Sequence, residues 1–415
     1  MTKPKTWSRV LLSLLATSLL FTACKKEYSK DETLPAVYSP SIIVGSDNQV
    51  IYALNPANGD KNWELAMSSP IIASPIVYGG MAYIANSTRD SIYKVNAKTG
   101  EVVQRITFSG GGAGVTATPI ADGNLLYVAS LDGAIYAIDT GSYTTKWSYN
   151  PNTGGIQSSP TIYNGKLYFA TTGGHIYSVD KTSGPNTSTG VPLPVWDYPG
   201  LGNVATAKFV SSPTIAAPYL YIGGANDSNM YCIFLDTTVR GVHMPTFPDT
   251  GVARWIYKAQ GNIVSSPAAY GGNCIFGCND FRVYCLDSII DPLMGIMTPT
   301  PRWIAQLTSE VASSPYAVNQ VVYIGCKDYQ LYALNILNGA QRWAFSTSGV
   351  ITSSPLVYNG TIYIGSYDKF LYAVDSARGT LKWSKNINGQ IQCSPVIDNF
   401  TSLTGFNSQV SGYTN

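Results

Sequence analysis

Short apolar runs separated by polar turns recur along this chain, and the clearest copy extends from Ser353 to Trp383. In that copy a fourth β-rich run begins at Lys382, after three runs at 355–358, 361–366 and 370–374. Asn359-Gly360 is typical of a hairpin turn, and Asp375 to Gly379 combines an Asx turn with a residue that tolerates positive φ. Four short antiparallel strands in each repeat predict one blade of a β-propeller.

Three sequence marks each recur eight times, which predicts eight blades. A Ser/Thr-Pro element ends at Pro75, Pro119, Pro160, Pro213, Pro267, Pro315, Pro355 and Pro395. A tyrosine in the third strand recurs as Tyr52, Tyr93, Tyr136, Tyr177, Tyr231, Tyr284, Tyr332 and Tyr372. A fourth-strand tryptophan position holds Gln104 in the second copy and otherwise Trp63, Trp147, Trp196, Trp255, Trp303, Trp343 and Trp383.

The order of these marks also predicts how the ring closes. Trp63 precedes the first Ser-Pro element, and no third strand follows the last one at Pro395. We therefore expect residues 392–398 to form the innermost strand of the blade that begins near Ser41. Closure of this kind removes free sheet edges.

The residue types fit this architecture. Ser-Ser-Pro and its variants are small, as the crowded axis of a propeller requires, and proline is tolerated where one side of a strand is unpaired. Each tryptophan position follows by four residues a site often filled by glycine, as at Gly59, Gly100, Gly339 and Gly379. We expect the tryptophan rings to dock between blades and each to contribute about 2 to 3 kcal/mol of burial, a structural role.

The N-terminal segment predicts export and lipid anchoring. A basic start is followed by the apolar run 10–21, which is too short to cross a membrane as a helix, and the segment ends in Leu20-Phe21-Thr22-Ala23-Cys24, which resembles a bacterial lipobox. We expect a signal peptide over residues 1–23, lipidated Cys24 with a flexible tether over 24–34, one propeller domain over 35–398 and a polar tail over 399–415.

Charge excludes a nucleic-acid-binding role. Charged residues make up 12% of the chain, against roughly 25% in ordinary globular proteins. The formal charge is +2, and removal of the three basic residues of the leader, Lys3, Lys5 and Arg9, brings it to −1. A basic surface that would attract DNA or RNA is therefore not expected.

The Ala-x-Asp-x-x-x-Gly-x-x-x-Trp run from Ala373 to Trp383, with Ser-Ser-Pro upstream, resembles the PQQ-type propeller repeat and its tryptophan-docking motif. The resemblance covers about residues 35 to 398. It implies an eight-bladed propeller, and it is shared by quinoprotein alcohol dehydrogenases and by the non-catalytic BamB lipoproteins of outer-membrane barrel assembly. The repeat therefore indicates the fold and leaves the function open.

We expect no catalytic, cofactor or metal site; the alternative is a PQQ- and calcium-dependent, quinoprotein-like oxidoreductase. The resemblance implies a pair of adjacent cysteines in such enzymes, and this chain has none. The repeated acids are predicted to be turn formers, one in a blade: Asp47, Asp90, Asp132, Asp227, Asp280, Asp328 and Asp368. His175 and His243 fall in different blades and are predicted to be ordinary polar positions.

Two further features leave alternatives open. After Cys24, five of six cysteines replace small packed residues, so we expect free buried thiols, with Cys278 to Cys326 the first disulfide to test. Carbohydrate binding is a third functional class, since exposed aromatics such as Tyr143, Tyr198 or Tyr329 can stack on sugars, although strand packing accounts for most of the 29 tyrosines.

The loop between third and fourth strands predicts a partner surface. In most copies the Trp follows the Asp or Asn by eight positions, but in three consecutive copies it follows by sixteen, nineteen and sixteen. These insertions, 181–195, 237–254 and 288–302, should form one ridge, because this loop always leaves the same face of a propeller. The ridge is rich in proline, which preorganises it, and its apolar residues are Val242, Met244, Phe247, Ile289, Ile290, Leu293, Met294, Ile296 and Met297.

The sequence therefore predicts a monomeric propeller, anchored in a bacterial envelope through Cys24, that acts as a scaffold or binding module for an envelope or outer-membrane protein. Mutual packing of the three loops is the structural alternative to a partner ridge. The membrane leaflet and the identity of the partner are not specified by the residues.

Overall fold

The repeats form eight four-stranded antiparallel sheets in a computed structural model of the protein. The structure describes residues 40–108, 112–185, 196–198, 207–235, 252–288 and 299–398. We number the sheets as blades 1 to 8 and name the strands of each blade inner, second, third and outer. The predicted all-β, eight-bladed propeller is confirmed.

Strands β1 to β15 build most of the first four blades. Blade 1 contains β1 (Ser41–Gly45), β2 (Val50–Leu54) and β3 (Lys61–Ala66). Blade 2 contains β4 (Ile76–Tyr78), β5 (Met81–Ala85), β6 (Ser91–Asn96) and β7 (Val102–Thr107). Blade 3 contains β8 (Ile120–Asp122), β9 (Leu125–Ala129), β10 (Ile135–Asp139) and β11 (Thr145–Tyr149). Blade 4 contains β12 (Thr161–Tyr163), β13 (Lys166–Ala170), β14 (Ile176–Asp180) and β15 (Trp196–Tyr198).

Strands β16 to β32 build the remaining blades and close the first. Blade 5 contains β16 (Thr214–Ala216), β17 (Tyr219–Gly223), β18 (Asn229–Phe234) and β19 (Val252–Lys258). Blade 6 contains β20 (Ala268–Tyr270), β21 (Asn273–Cys278), β22 (Arg282–Asp287) and β23 (Pro301–Gln306). Blade 7 contains β24 (Tyr316–Val318), β25 (Val321–Gly325), β26 (Gln330–Asn335) and β27 (Gln341–Ser346). The last strands are β28 (Leu356–Tyr358), β29 (Thr361–Gly365), β30 (Phe370–Asp375) and β31 (Leu381–Asn386) of blade 8, and β32 (Val396–Asp398).

The chain's final described strand closes the ring, as the phase of the repeats predicts. β32 pairs antiparallel with β1, with Ile42 opposite Ile397 and Ser41 opposite Asp398. Cys393 supports this closure, because its Sγ lies 3.3 Å from both the N–H and the carbonyl oxygen of Gly45. In other blades a serine hydroxyl accepts the equivalent N–H, as Ser353 does from Gly365 at 3.3 Å.

A belt of hydrogen bonds runs around the inner strands. In each link the backbone N–H of the residue before proline donates to the hydroxyl of its counterpart in the following blade, as Ser354 N donates to Ser394 Oγ at 2.9 Å. Seven such links, 2.8 to 3.1 Å long, run from Thr118 through Ser394 to Ser74. Small hydroxyl residues are needed here because they both fit at the axis and join the blades.

Antiparallel strands place the connections on two opposite faces. The Asp-turn face carries the turns between second and third strands, such as 366–369, together with the loops from each outer strand to the next inner strand. The loop face carries the inner hairpins, such as 359–360, together with the connections from third to outer strands, such as 375–379. In the described part of the chain, no helix has the length and apolar character to cross a membrane.

Candidate functional site

Neighbouring blades meet where a tryptophan lies on a glycine of the following blade. A Cβ built on Gly100 would lie 2.7 Å from Cδ2 of Trp63, and one on Gly379 would lie 2.5 Å from Cδ2 of Trp343. The same contact joins Trp147 to Gly184, Trp303 to Gly339 and Trp383 to Gly59, and all five glycines have φ from +70° to +76°. Glycine is required because it alone combines a left-handed backbone with an unobstructed face.

Polar groups fix these five tryptophan rings in place. Trp343 Nε1 donates to the carbonyl oxygen of Ser376 at 3.3 Å, and the hydroxyl of Tyr323 donates to the same oxygen at 2.9 Å. Pro56 O likewise accepts from Trp383 and Tyr363, and Lys181 O accepts from Trp147 and Tyr127. Each of these junctions therefore combines apolar burial with two directional bonds to one carbonyl.

The junction between blades 2 and 3 is built differently. Gln104 occupies the tryptophan position, and its cross-strand neighbour is Lys94, where the other blades have Ala, Ser or Cys. Lys94 Nζ donates to the carbonyl oxygen of Thr140 at 3.0 Å, the oxygen that elsewhere accepts the indole N–H. Tyr143 takes the glycine position with φ of 61°, and Lys94 Nζ lies 5.1 Å from its ring centroid.

The two remaining predicted tryptophans belong to the enlarged blades. Trp255 is fully buried, and its ring centroid lies 5.8 Å from that of Tyr221. The backbone of Trp196 pairs with Ser178 in blade 4, and its side chain lies outside the described residues.

Five of the repeated acids on the Asp-turn face accept hydrogen bonds from the third strand of their own blade. Asp368 accepts the backbone N–H of Phe370 at 3.0 Å and the hydroxyl of Tyr372 at 2.7 Å. Asp132, Asp227, Asp280 and Asp328 make the same pair of bonds, to the N–H two residues on and the tyrosine four residues on. Burial, together with the bond to Asp368, raises the pKa of Tyr372 above its ordinary value.

Asp90 differs from the other repeated acids in its partners. Its carboxylate accepts the backbone N–H of Gly112 at 2.5 Å and that of Gly114 at 3.1 Å, and it also accepts the hydroxyl of Ser130 at 3.0 Å. It therefore anchors Gly112 and Gly114 in the connection between β7 and β8.

These acids do not fit the carboxylate and amide ligand set that calcium with PQQ would require. They belong to separate blades, and their oxygens already accept N–H and O–H donors, whereas calcium takes six to eight oxygens converging on one point. Across the described ranges, no group of three or more His, Cys, Asp or Glu side chains is placed to hold a metal.

The six cysteines of the propeller are buried, unpaired thiols. Burial raises the pKa of Cys278 and that of Cys326 to about 12, so both remain protonated near neutral pH and are weak nucleophiles. Each sulfur lies near backbone carbonyls of its own blade junction, with Cys278 Sγ 3.2 Å from Gly261 O. His175 stacks on Tyr177, with ring centroids 5.8 Å apart, and His243 lies outside the described residues.

The three aromatics considered for sugar stacking have different surroundings. Tyr143 is half-buried beneath Lys94, and Tyr198 packs edge-on against Tyr231 with ring centroids 6.0 Å apart. Tyr329 is exposed, at 47%. Sequence reasoning missed Phe281, which occupies the same turn position in the neighbouring blade and is 43% exposed.

The loop face carries the ends of all three insertions. The described chain stops and resumes between β14 and β15 in blade 4, between β18 and β19 in blade 5, and between β22 and β23 in blade 6. All nine apolar residues predicted to form the ridge lie outside the described residues, as does Cys24. The ridge and the lipid anchor therefore stay predictions.

Comparison with known structures supports the architecture. A computationally designed protein, Ika8, is 13% identical, with a TM-score of 0.62 over 78% of this chain and 89% of that one. BamB from Moraxella catarrhalis is 18% identical, with a TM-score of 0.58 over 82% of this chain and 89% of that one. A europium-containing methanol dehydrogenase is 15% identical, with a TM-score of 0.58 over 78% of this chain and 79% of that one. At these identities the likeness concerns the fold alone.

The fold and its tryptophan junctions define an eight-bladed propeller built from PQQ-type repeats. Residues 25–105, 88–289 and 294–413 match the family model described as outer membrane protein assembly factor BamB. The chain belongs to that family. No curated protein matches it.

Proposed function

We propose that this protein is a lipid-anchored, non-catalytic scaffold of the bacterial envelope that binds a protein partner through the ridge on its loop face. The proposal is supported by the strand ends that flank the insertions, which lie on one face of three consecutive blades. Membership of the assembly-factor family supports an envelope role.

The ridge sequence suits protein binding. Methionine and proline together give an adaptable apolar surface on a preorganised backbone, which lowers the entropy lost on binding. A large apolar patch on a soluble domain commonly marks an interaction site. The partner expected from this chemistry is an envelope protein with a complementary apolar surface.

The ridge is tested by the triple substitution Ile289→Ser, Met294→Ser and Met297→Ser. We expect the tagged variant to fold but to lose the proteins that copurify with the wild type from detergent-solubilised envelopes. Leu337→Ser is the matched control, because Leu337 is 67% exposed on the short loop-face connection of blade 7. Loss of folding, or retention of the partners, would refute the ridge.

Lipid anchoring is tested separately with Cys24→Ala. The variant should fail to incorporate a fatty-acid probe and should leave the membrane fraction, since one cysteine would carry the acyl chains. Unchanged labelling would show that Cys24 is not the anchor.

A catalytic role is tested by adding PQQ and Ca²⁺ to the purified protein and following dye reduction with alcohol substrates. We expect no reduction above the cofactor background. Turnover that depends on the protein would refute the non-catalytic proposal.

A further inference from the structure

Two aromatic side chains stand out from the Asp-turn face on neighbouring blades. Phe281 and Tyr329 occupy the same position of the turn between second and third strands in blades 6 and 7, and both are more than two-fifths exposed. Their φ angles are 71° and 72°. For residues other than glycine a left-handed conformation costs about 1 to 2 kcal/mol, and bulky residues are rare there.

Other blades place more ordinary residues at this turn position. The equivalents are Gly133 in blade 3 and Lys369, with φ of 76°, in blade 8. Blades 6 and 7 therefore have an aromatic residue, Phe281 or Tyr329, at a position where the left-handed backbone is best suited to glycine and solvent exposure is best suited to a polar side chain. Gln49, Ser228 and Lys369 share the left-handed backbone at the equivalent positions of blades 1, 5 and 8, so the exposed aromatic rings, and not the strain, distinguish blades 6 and 7.

Hydrogen bonds hold both turns rigidly. The carbonyl oxygen of Phe281 accepts the N–H of Leu307 at 2.7 Å and Nε2 of Gln306 at 3.2 Å. The carbonyl oxygen of Tyr329 accepts both the N–H of Thr347, at 2.8 Å, and its hydroxyl, at 3.0 Å. The rings are therefore presented on fixed supports, which reduces the ordering cost of binding.

One short segment links the two turns and limits their separation. The N–H of Leu307 donates to Phe281 O in the first turn. Three residues later, the carbonyl oxygen of Glu310 accepts the N–H of Lys327, two residues before Tyr329, at 3.0 Å. Three extended residues span at most about 10 Å. With the two hydrogen bonds and the two residues from Lys327 to Tyr329 added, this path limits the turns to within about 25 Å of each other on the Asp-turn face.

The surroundings of the rings are polar. The guanidinium of Arg282 donates to the amide oxygens of Gln260 and Gln306, and it lies 3.7 Å from Asp280. On the Tyr329 turn and the segment that links the two turns, Lys327 pairs with Glu310, and the hydroxyl of Thr308 donates to Asp328. A protein hot spot would instead need a desolvated apolar pocket around its aromatic anchors.

Flat aromatic faces beside amides, hydroxyls and paired charges match the chemistry of a sugar. The C–H face of a pyranose ring buries apolar area on an aromatic ring, while its hydroxyls bond to neighbouring polar side chains. A polyanion is disfavoured because Asp280, Asp328 and Glu310 lie on the two turns and the segment that links them. We propose that Phe281 and Tyr329 form a stacking site for a saccharide chain on the Asp-turn face of blades 6 and 7.

The strand ends that flank the insertions lie on the opposite face, so this site is independent of the proposed ridge. The test uses Phe281→Asn and Tyr329→Asn, separately and together, because asparagine tolerates a left-handed backbone and should preserve both turns. Lys369→Asn, at the equivalent turn of blade 8, is the matched control. Melting curves of all variants verify that the propeller stays folded.

Binding is measured by calorimetry with cellohexaose, chitohexaose, xylohexaose and mannohexaose, and with a pool of soluble peptides from an envelope digest. We expect at least one hexasaccharide to bind the wild type and the Lys369→Asn variant. Each single aromatic substitution should weaken that binding at least tenfold, and the double variant should abolish it. Binding to none of the sugars, sugar binding that survives in the double variant, or peptide binding lost in the double variant would each overturn the saccharide site.

Discussion

The junction between blades 1 and 2 and the junction between blades 2 and 3 solve one packing problem in two ways. In the first, Trp63 lies on Gly100, and its Nε1 donates to Ala97 O at 2.8 Å. In the second, Lys94 of blade 2 donates the hydrogen bond to Thr140 O, and the aromatic ring comes from Tyr143 of blade 3.

The comparison shows that the junction depends on two elements, a donor to one carbonyl and a flat ring over the contact. Which blade provides each element is secondary. Tyr143 can occupy the glycine position because no indole lies against it, and Lys94 can replace a small residue because Gln104 leaves room for a longer chain. The three departures from the repeat therefore act as one coordinated replacement.

Breaking the regular junction should have the largest effect. Trp63→Ala removes a buried ring and its hydrogen bond, so we expect a loss of about 3 to 5 kcal/mol in the free energy of unfolding. Urea denaturation followed by tryptophan fluorescence and circular dichroism measures it. A loss below about 1 kcal/mol would show that Trp63 does not hold the blades together.

The glycine side of the same junction should be nearly as sensitive. Gly100→Ala introduces a Cβ 2.7 Å from Trp63 at φ of +76°, so steric contact adds to backbone strain, for about 2 to 3 kcal/mol.

Gly79→Ala separates these two contributions, because Gly79 has φ of +57° and no atom within 4 Å of its Cβ position. It should cost only the strain, about 1 to 2 kcal/mol. If Gly100→Ala and Gly79→Ala lost the same free energy of unfolding, the contact between Trp63 and Gly100 would not contribute to stability.

The junction where β32 closes blade 1 adds a dependence on pH. Burial raises the pKa of Asp398 from 3.8 to about 6. The folded protein therefore binds the proton of Asp398 more tightly than the unfolded chain does. The contribution of this proton to the free energy of unfolding is fully present below pH 3.8 and is lost as pH rises through 6.

Asp398→Asn should remove that loss and stabilise the protein at pH 7.5 by on the order of 2 kcal/mol. At pH 4 the variant and the wild type should differ little. Unfolding free energies measured from pH 4 to 8 test this, and a difference independent of pH would contradict the assigned cause.

The smallest expected effect is at the altered junction. Lys94→Met keeps most of the apolar stem of the side chain but removes its donor and its cation–π contact, which should cost about 1 kcal/mol.

The triple substitution Lys94→Ala, Gln104→Trp and Tyr143→Gly recreates the regular junction and should recover or exceed wild-type stability. Double-mutant cycles of unfolding free energy would show coupling among the three positions. Additive single effects would mean that the three departures are unrelated.

The fold followed from the sequence because spacing between turns, tyrosines and tryptophans is repeated strictly enough to define both blade number and ring closure. The altered junction did not follow. The sequence shows Gln104 as an exception at the tryptophan position. To predict that Tyr143 compensates for it, one must know that each tryptophan docks on the next blade. The exposure of the aromatic pair in blades 6 and 7 could not be predicted either. It follows from a left-handed turn, and Phe and Tyr are not residue types that indicate such a turn.

The central claim is that the repeats maintain the fold while the insertions bind the partner. It is tested most directly by replacing the three long connections of blades 4, 5 and 6 with the short connection of blade 8, 376–382. Envelope proteins copurified with this variant and with the wild type are then compared by quantitative mass spectrometry. We predict unchanged strand content and cooperative melting with loss of the specific partners. A variant that folds and keeps those partners, or one that cannot fold without the insertions, would contradict it.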